Sequence, residues 1–163
     1  MFSRRDLISK KQLIGQILIK RNLITQERLR EALDLQKTQG GLIGEVLVKL
    51  GYATERDIVI ALIIQCGFPY IAVNKYDIDP KILKLIPEEL AKKHHIIPLD
   101  LVGDVLSVVM ANPLNSVIIG EIEKLTGCKI ATFIATKSEI DEAITHRYQK
   151  LFFKNGENPY GNV

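Results

Sequence analysis

The sequence predicts an α+β protein. An N-terminal array of four helices, made from a duplicated helix–turn–helix unit, should be followed by a small α/β part with a partly antiparallel sheet. Duplication is indicated because a 24-residue segment recurs without a gap at an offset of 29 residues. Both copies carry apolar residues at helical spacing. After Phe68, short apolar runs alternate with helical segments, a pattern typical of a small sheet covered by helices.

The repeated segment covers residues 13–36 and 42–65, and nine of its 24 aligned positions are identical. Asn22 corresponds to Gly51, and both residue types tolerate the left-handed backbone that ends a helix. Thr25 and Thr54 correspond as well, and a threonine hydroxyl can cap the start of the following helix. Each copy is therefore expected to form a short helix, a turn and a longer helix. The sequence TQGG, residues 38–41, should separate the copies.

The two longer helices differ in their expected burial. ERLREALDLQKTQ in the first copy is amphipathic, so it should lie at the surface. DIVIALIIQC in the second copy is apolar nearly all round, so it should be buried on several sides.

The second half begins at Pro69, and the apolar run at residues 70–73 fits a short strand. DPKILKLIPEELAKKH predicts two short helical segments separated at Pro87. IIPLDLV and VLSVVMA predict two strands of a hairpin, because the Gly103–Asp104 dipeptide between them favours a tight turn.

The remaining elements follow in order. NPLNSVIIGEIEKLTG predicts a helix that starts at Asn115 or Ser116 and ends before Gly127. CKIATFIAT predicts a third strand, and KSEIDEAITHRYQK a final helix capped by Thr136 or Ser138. The expected organisation is a basic leader at 1–10, a tandem-repeat helical subdomain at 11–67, an α/β subdomain at 68–150 and a flexible tail at 151–163.

Composition narrows the classes of function. With 47% hydrophobic and 25% charged residues, a packed core is expected. A net charge of +3 is too small to indicate a DNA or RNA partner. No apolar run reaches the ~18–20 residues that span a bilayer, and no signal peptide is recognisable, so we expect a cytoplasmic protein without direct membrane insertion. Cys66 and Cys128 are isolated and should be buried thiols.

No pattern of catalytic residues is present in the sequence. GxxxxGK[ST], GxGxxG, HExxH and GxSxG are all missing, so we expect no enzyme, no catalytic residue and no metal site. His94 and His95 are adjacent, so their side chains should point apart and serve structural roles at a helix-to-strand junction. The acidic residues Glu88, Glu89, Glu139, Asp141 and Glu142 fall in first turns of helices, where the helix dipole favours them.

The repeat resembles the tandem motif R-L-G-x-x-L-x-x-x-G-x-x-x-x-x-x-L-x-x-x-L-x-x-Q of the MshEN domain. This domain is the N-terminal module of many type II secretion (GspE-like) and type IV pilus assembly ATPases, and members of the family bind cyclic di-GMP. The resemblance continues through FPY, IPEELAKKHHIIPL and VVMANPLN, and covers roughly residues 10–148. It implies two half-sites for one cyclic dinucleotide, formed by Leu13, Ile14, Gly15, Leu29, Leu33 and Gln36, and by Leu42, Ile43, Gly44, Ile58, Leu62 and Gln65.

Both copies depart from the family motif at its first position. Leu13 and Leu42 stand where the family has arginine, and Asn22 replaces a turn glycine. The planar arginine fork can pair with guanine edges and stack on the base, whereas leucine can do neither. At about 1–3 kcal/mol for each lost fork, two losses weaken binding by roughly 2–6 kcal/mol, or thirty-fold to ten-thousand-fold.

Two functions of different class follow. One is a regulatory or protein-docking module, whose partner is an inner-membrane secretion or pilus assembly protein, or a motor ATPase, and which is peripheral to the inner membrane through that partner. The other is a cyclic di-GMP switch with weakened affinity, in which Lys11 and Arg28 are candidate replacement cations; no other cofactor is expected. A purely structural interpretation also stands: Gly15 and Gly44 would permit close helix contact, and the two motif glutamines would be helix-surface residues.

Overall fold

The computed structural model describes residues 14–154, with side chains to residue 151. The chain divides into two compact units between Phe68 and Pro69. In the first unit, α1 is described over residues 14–20, and three more helices follow: α2 (Gln26–Gln39), α3 (Ile43–Lys49) and α4 (Glu55–Cys66). The second unit contains a small sheet and further helices. The predicted α+β fold class is therefore confirmed.

The turn and capping residues of the repeat adopt the predicted conformations. Asn22 and Gly51 have φ of 56° and 71°, in the left-handed region. Thr25 Oγ1 accepts the backbone N–H of Arg28 at the start of α2. Thr54 and Asp57 form a reciprocal capping box at the start of α4. Free N–H groups at both helix starts are thus satisfied locally, which explains why the short sequence signal was sufficient.

Two expectations about the first unit need correction. The TQGG segment does not break the helix at Thr38, because α2 continues through Gln39, and the break falls at Gly40 and Gly41, with φ of 75° and 87°. Burial of α4 is also less complete than predicted, since Ile64 is 54% exposed. Within its own unit α4 packs chiefly on α3, so an apolar sequence all round cannot be covered on every side.

The second unit is built on three strands: β1 (Ile96–Val102), β2 (Val105–Met110) and β3 (Lys129–Ile134). The sheet order within the described residues is β1-β2-β3, with β1 and β2 antiparallel and β2 and β3 parallel. The parallel pair requires a crossover, which is provided by helix α7 (Ser116–Thr126). The predicted hairpin and third strand are confirmed.

The other helices of this unit are α5 (Pro80–Leu83), α6 (Glu88–His94) and α8 (Lys137–Lys154). The core between sheet and helices is apolar and includes Ile96, Leu106, Val108, Ile118, Ile122, Ile140 and Ile144. Asn115 rather than Ser116 caps α7, and Gly127 ends it at φ 70°. Thr136 caps α8, because its Oγ1 accepts the Glu139 N–H while the Glu139 carboxylate accepts the Thr136 N–H.

Three further expectations are wrong in the second unit and at its boundary. The run at 70–73 is not a strand: Tyr70 makes a single bridge to Ile134, because Pro69 has no N–H to extend the ladder, and a 3₁₀ turn follows. Helix α8 continues to Lys154 rather than ending at Lys150, because Leu151 extends its core-facing row beyond Tyr148. Cys66 and Cys128 are half-buried rather than buried. The predicted leader and residues 155–163 of the tail lie outside the described residues.

Candidate ligand and docking site

The motif glycines mark a close contact between the short and long helix of each copy. A Cβ on Gly15 would lie 2.6 Å from Leu29 Cδ1, and a Cβ on Gly44 would lie 2.8 Å from Ile58 Cγ2. Leu29 and Ile58 occupy equivalent motif positions. The same contact therefore occurs twice, and the interpretation of these glycines as sites of close helix contact is confirmed.

The apolar residues of the motif are mostly buried. Ile14, Ile43, Leu29 and Leu62 each have no more than 6% of their surface exposed. Ile58 is half-buried. Leu33, at 37% exposed, is the most accessible described member of this set. These residues therefore hold the helices together, and Leu33 presents the largest apolar surface to an incoming molecule.

The two motif glutamines are equivalent in sequence but not in hydrogen bonding. Gln36 Nε2 donates to the backbone carbonyl of Gly41 at 2.8 Å, so its amide ties the end of α2 to the segment between the copies. In Gln65 both amide atoms, Oε1 and Nε2, are buried and have no hydrogen-bond partner among the described residues. An orphaned buried amide costs about 1–3 kcal/mol, so Gln65 is not the solvated helix-surface residue of the structural interpretation.

The leading leucine of the second copy stands at the start of a helix. Leu42 is the N-cap of α3 with φ −90° and ψ 139°, makes no side-chain cap bond and is half-buried. Its counterpart Leu13 lies outside the described residues, as does the candidate cation Lys11. Two predicted site residues of the second copy, Leu42 and Gly44, thus lie together at the beginning of one short helix.

The other candidate cation, Arg28, is already engaged. Its guanidinium carbon lies 5.0 Å from the ring centroid of Tyr52, a cation–π distance. The Tyr52 hydroxyl donates to Glu31 at 2.6 Å, and this hydrogen bond raises the pKa of the phenol. The pattern of the repeat could not reveal this cluster, because the first copy has Leu23 at the position of Tyr52.

The titratable residues singled out in the second unit have structural roles. His95 ends α6 with φ 52°, and its Nδ1 lies 2.6 Å from the Asp141 carboxylate. Glu142 accepts a hydrogen bond from Asn74. Among the described residues no group of three or more His, Cys, Asp or Glu side chains is placed to hold a metal ion. The helices described here include none that is long and apolar enough to cross a bilayer.

Comparison with known proteins places these features in context. The model of the MshEN domain family matches residues 66–151. The type IV pilus assembly ATPase PilB of Myxococcus xanthus is 37% identical over 135 residues, which are 83% of this chain and 24% of PilB. The chain thus spans about a quarter of that relative's length. The 83% share exceeds the second unit alone, so the similarity extends into the helical unit.

Two solved structures share the fold. One is MshE with cdg, cyclic di-GMP, with a TM-score of 0.71 and 22% identity, covering 83% of this chain and 98% of that one. The other is the N-terminal domain of XpsE, with a TM-score of 0.74 and 23% identity, covering 90% of this chain and 98% of that one. At these identities the likeness concerns the fold.

Proposed function

The chain belongs to the MshEN domain family, and on that premise we propose that it is a non-catalytic regulatory or protein-docking module of a type II secretion or type IV pilus assembly ATPase. The observation that carries the proposal is the state of the polar positions of the repeat. Leucine stands where the family has arginine, and the Gln36 amide is spent on Gly41. Few polar groups are left to hold a charged ligand, whereas Leu33 adds exposed apolar surface.

The proposed partner is an inner-membrane assembly protein or the motor ATPase of the same machine, so the module would act at the cytoplasmic face of that membrane. The test is binding of the purified full chain to the cytoplasmic parts of these proteins from the same genome. We expect Leu33→Asp to weaken binding at least tenfold, because it places a charge on the docking surface. Val117→Asp is the matched control, since Val117 is 79% exposed in the second unit. Failure of every such protein to bind would refute the docking function.

Catalysis is expected to reside elsewhere. The sequence has no phosphate loop and no Walker lysine, so the purified chain should release no phosphate from ATP. Malachite-green detection of released phosphate checks this. Release that one point substitution in the chain abolishes would contradict the non-catalytic function.

Gln65 favours a second candidate, a cyclic di-GMP switch of weakened affinity. Its buried amide lacks any partner among the described residues, and a bound nucleobase or phosphate would supply one. Isothermal titration with cyclic di-GMP separates the two functions: weak or absent heat favours docking, and tight binding favours the switch. Gln65→Leu should abolish any binding that depends on the amide, while Gln149→Leu, a substitution of an exposed glutamine on α8, should not.

A further inference from the structure

A cleft of about 420 Å³ lies in the second unit, between the segment 77–80 with Leu83 on one side and α8 on the other. Arg147, Lys150 and Leu151 form the α8 wall. The volume falls in the range of ordinary ligand pockets, about 300–1,000 Å³. Nothing in the tandem repeat contributes to this cleft, so it is separate from the candidate site of the first unit.

The walls of the cleft are held in place by buried contacts. The Tyr148 hydroxyl lies 2.8 Å from the Ile86 carbonyl and 3.2 Å from the Leu83 carbonyl, which fastens α8 to the α5–α6 segment. Arg147 Nη1 binds Asp77 at 3.0 Å, and Nη2 binds the Tyr76 carbonyl. The guanidinium is therefore oriented before any ligand arrives, which lowers the entropy cost of binding.

The charges in the cleft are not fully matched. Asp77 is paired with Arg147, and Asp79 accepts the backbone N–H of Lys81 at the start of α5, which compensates part of its charge. Lys150 is exposed and has no ion-pair partner among the described residues. It lies one helical turn beyond Arg147, so two cations face the same opening. Beside them, Ile78, Pro80 and Leu151 supply an apolar floor.

We propose that this cleft binds an acidic segment of a protein partner, with a carboxylate on Lys150 and Arg147 and the next apolar side chain against Pro80 and Leu151. A carboxylate suits the two cations, since it can accept from the free guanidinium N–H groups and from the ammonium together. The inference extends the proposed docking function to a second surface, because a docking module gains affinity and selectivity from two separate contacts with one partner.

The test uses the ¹⁵N-labelled full chain and the peptide acetyl-Leu-Glu-Leu-Glu-amide. We expect amide shifts confined to residues 77–83 and 147–151, and no such shifts with acetyl-Leu-Lys-Leu-Lys-amide. Lys150→Glu should weaken peptide binding about tenfold or more, because attraction becomes repulsion. Lys124→Glu, at an exposed lysine on α7, is the matched control and should leave affinity unchanged.

Three outcomes would overturn the proposal: no shifts at the cleft, equal loss in the Lys124 and Lys150 variants, or the same shifts with inorganic phosphate alone, which would make the cleft a simple anion site. The result is independent of the Leu33 variant and of partner binding in the first unit. Failure of the cleft and failure of the docking function can thus be told apart.

Discussion

At the scale of single residues, Gly15 and Gly44 are the positions where one methyl group matters most. In both, a Cβ would approach a buried or half-buried side chain on the facing helix closer than 3.0 Å. Leu29 is only 4% exposed and has little freedom to move aside, so the helices themselves must separate.

We expect Gly15→Ala to reduce the free energy of unfolding by about 1–2 kcal/mol. Overpacking costs about 1–3 kcal/mol, and the better helix propensity of alanine returns part of it. Urea unfolding followed by circular dichroism measures the change. Gly44→Ala should behave alike, though more mildly, because Ile58 is half-buried and can yield. An unchanged midpoint in both variants would mean that the helices are not in close contact.

Tyr148 is the residue that joins α8 to the rest of the second unit. It is 4% exposed, and its hydroxyl is the partner of the Ile86 carbonyl. Tyr148→Phe should cost about 1–2 kcal/mol at pH 9, because that buried carbonyl loses its donor. Chemical denaturation of wild type and variant at one pH gives the difference directly.

The same side chain predicts a dependence on alkaline pH. Burial raises the pKa of the Tyr148 phenol well above its ordinary value near 10. Between these two values the unfolded phenol is ionised while the folded one stays neutral, so the free energy of unfolding falls as pH rises above about 10. Phenylalanine cannot ionise, so the gap between variant and wild type should shrink by about 1 kcal/mol from pH 9 to pH 11. A constant gap over that range would contradict the assignment.

At the scale of the elements, α7 contains a glycine that its packing does not require. Gly120 lies inside the helix, and a Cβ there would meet nothing within 4 Å. Gly120→Ala should therefore stabilise the protein by about 0.5–1 kcal/mol, the helix propensity difference alone. Thermal and urea unfolding check the sign, and Gly15→Ala is the internal contrast, with the opposite sign from the same substitution. A destabilised Gly120→Ala would show that the face of α7 is crowded.

The helix ends were the most predictable feature at this scale. Thr25, Thr54, Asn115 and Gly127 cap or end their helices as the sequence indicated, because a cap depends on atoms within three or four residues. Leu151 shows the opposite case. Its value as a core residue depends on α5 and β-strand side chains far away in the sequence, so the end of α8 was placed too early.

At the scale of the whole molecule, the duplicated unit suggests one twofold-symmetric ligand bridging two half-sites. We expect the wild type to bind cyclic di-GMP weakly at best, and Leu13→Arg with Leu42→Arg to raise the affinity at least tenfold. Restored arginine forks return roughly 2–6 kcal/mol. Against this stand the ordering of two long side chains and a cation at the start of α3, which costs about 0.3–1 kcal/mol.

Isothermal titration of wild type, both single variants and the double variant measures this gain. Each single variant should show part of it, since both half-sites would hold one molecule. Leu13→Lys with Leu42→Lys is the control that adds charge without the planar fork. A folded double-arginine variant that binds no better than wild type would leave the repeat as a packed helical platform for a protein partner.

The sequence by itself determined the duplication, the helix–turn–helix pattern, the hairpin and the family resemblance. All of these depend on local periodicity, turn residues and spacing, which short stretches of chain encode. Tertiary structure decided what the equivalent residues of the two copies do. Gln36 reaches the Gly41 carbonyl while Gln65 is buried without a partner. Leu33 is 37% exposed while Leu62 is 5% exposed. Identical motif letters acquire different burial and different hydrogen bonds, because these depend on the neighbours that folding supplies rather than on the motif itself.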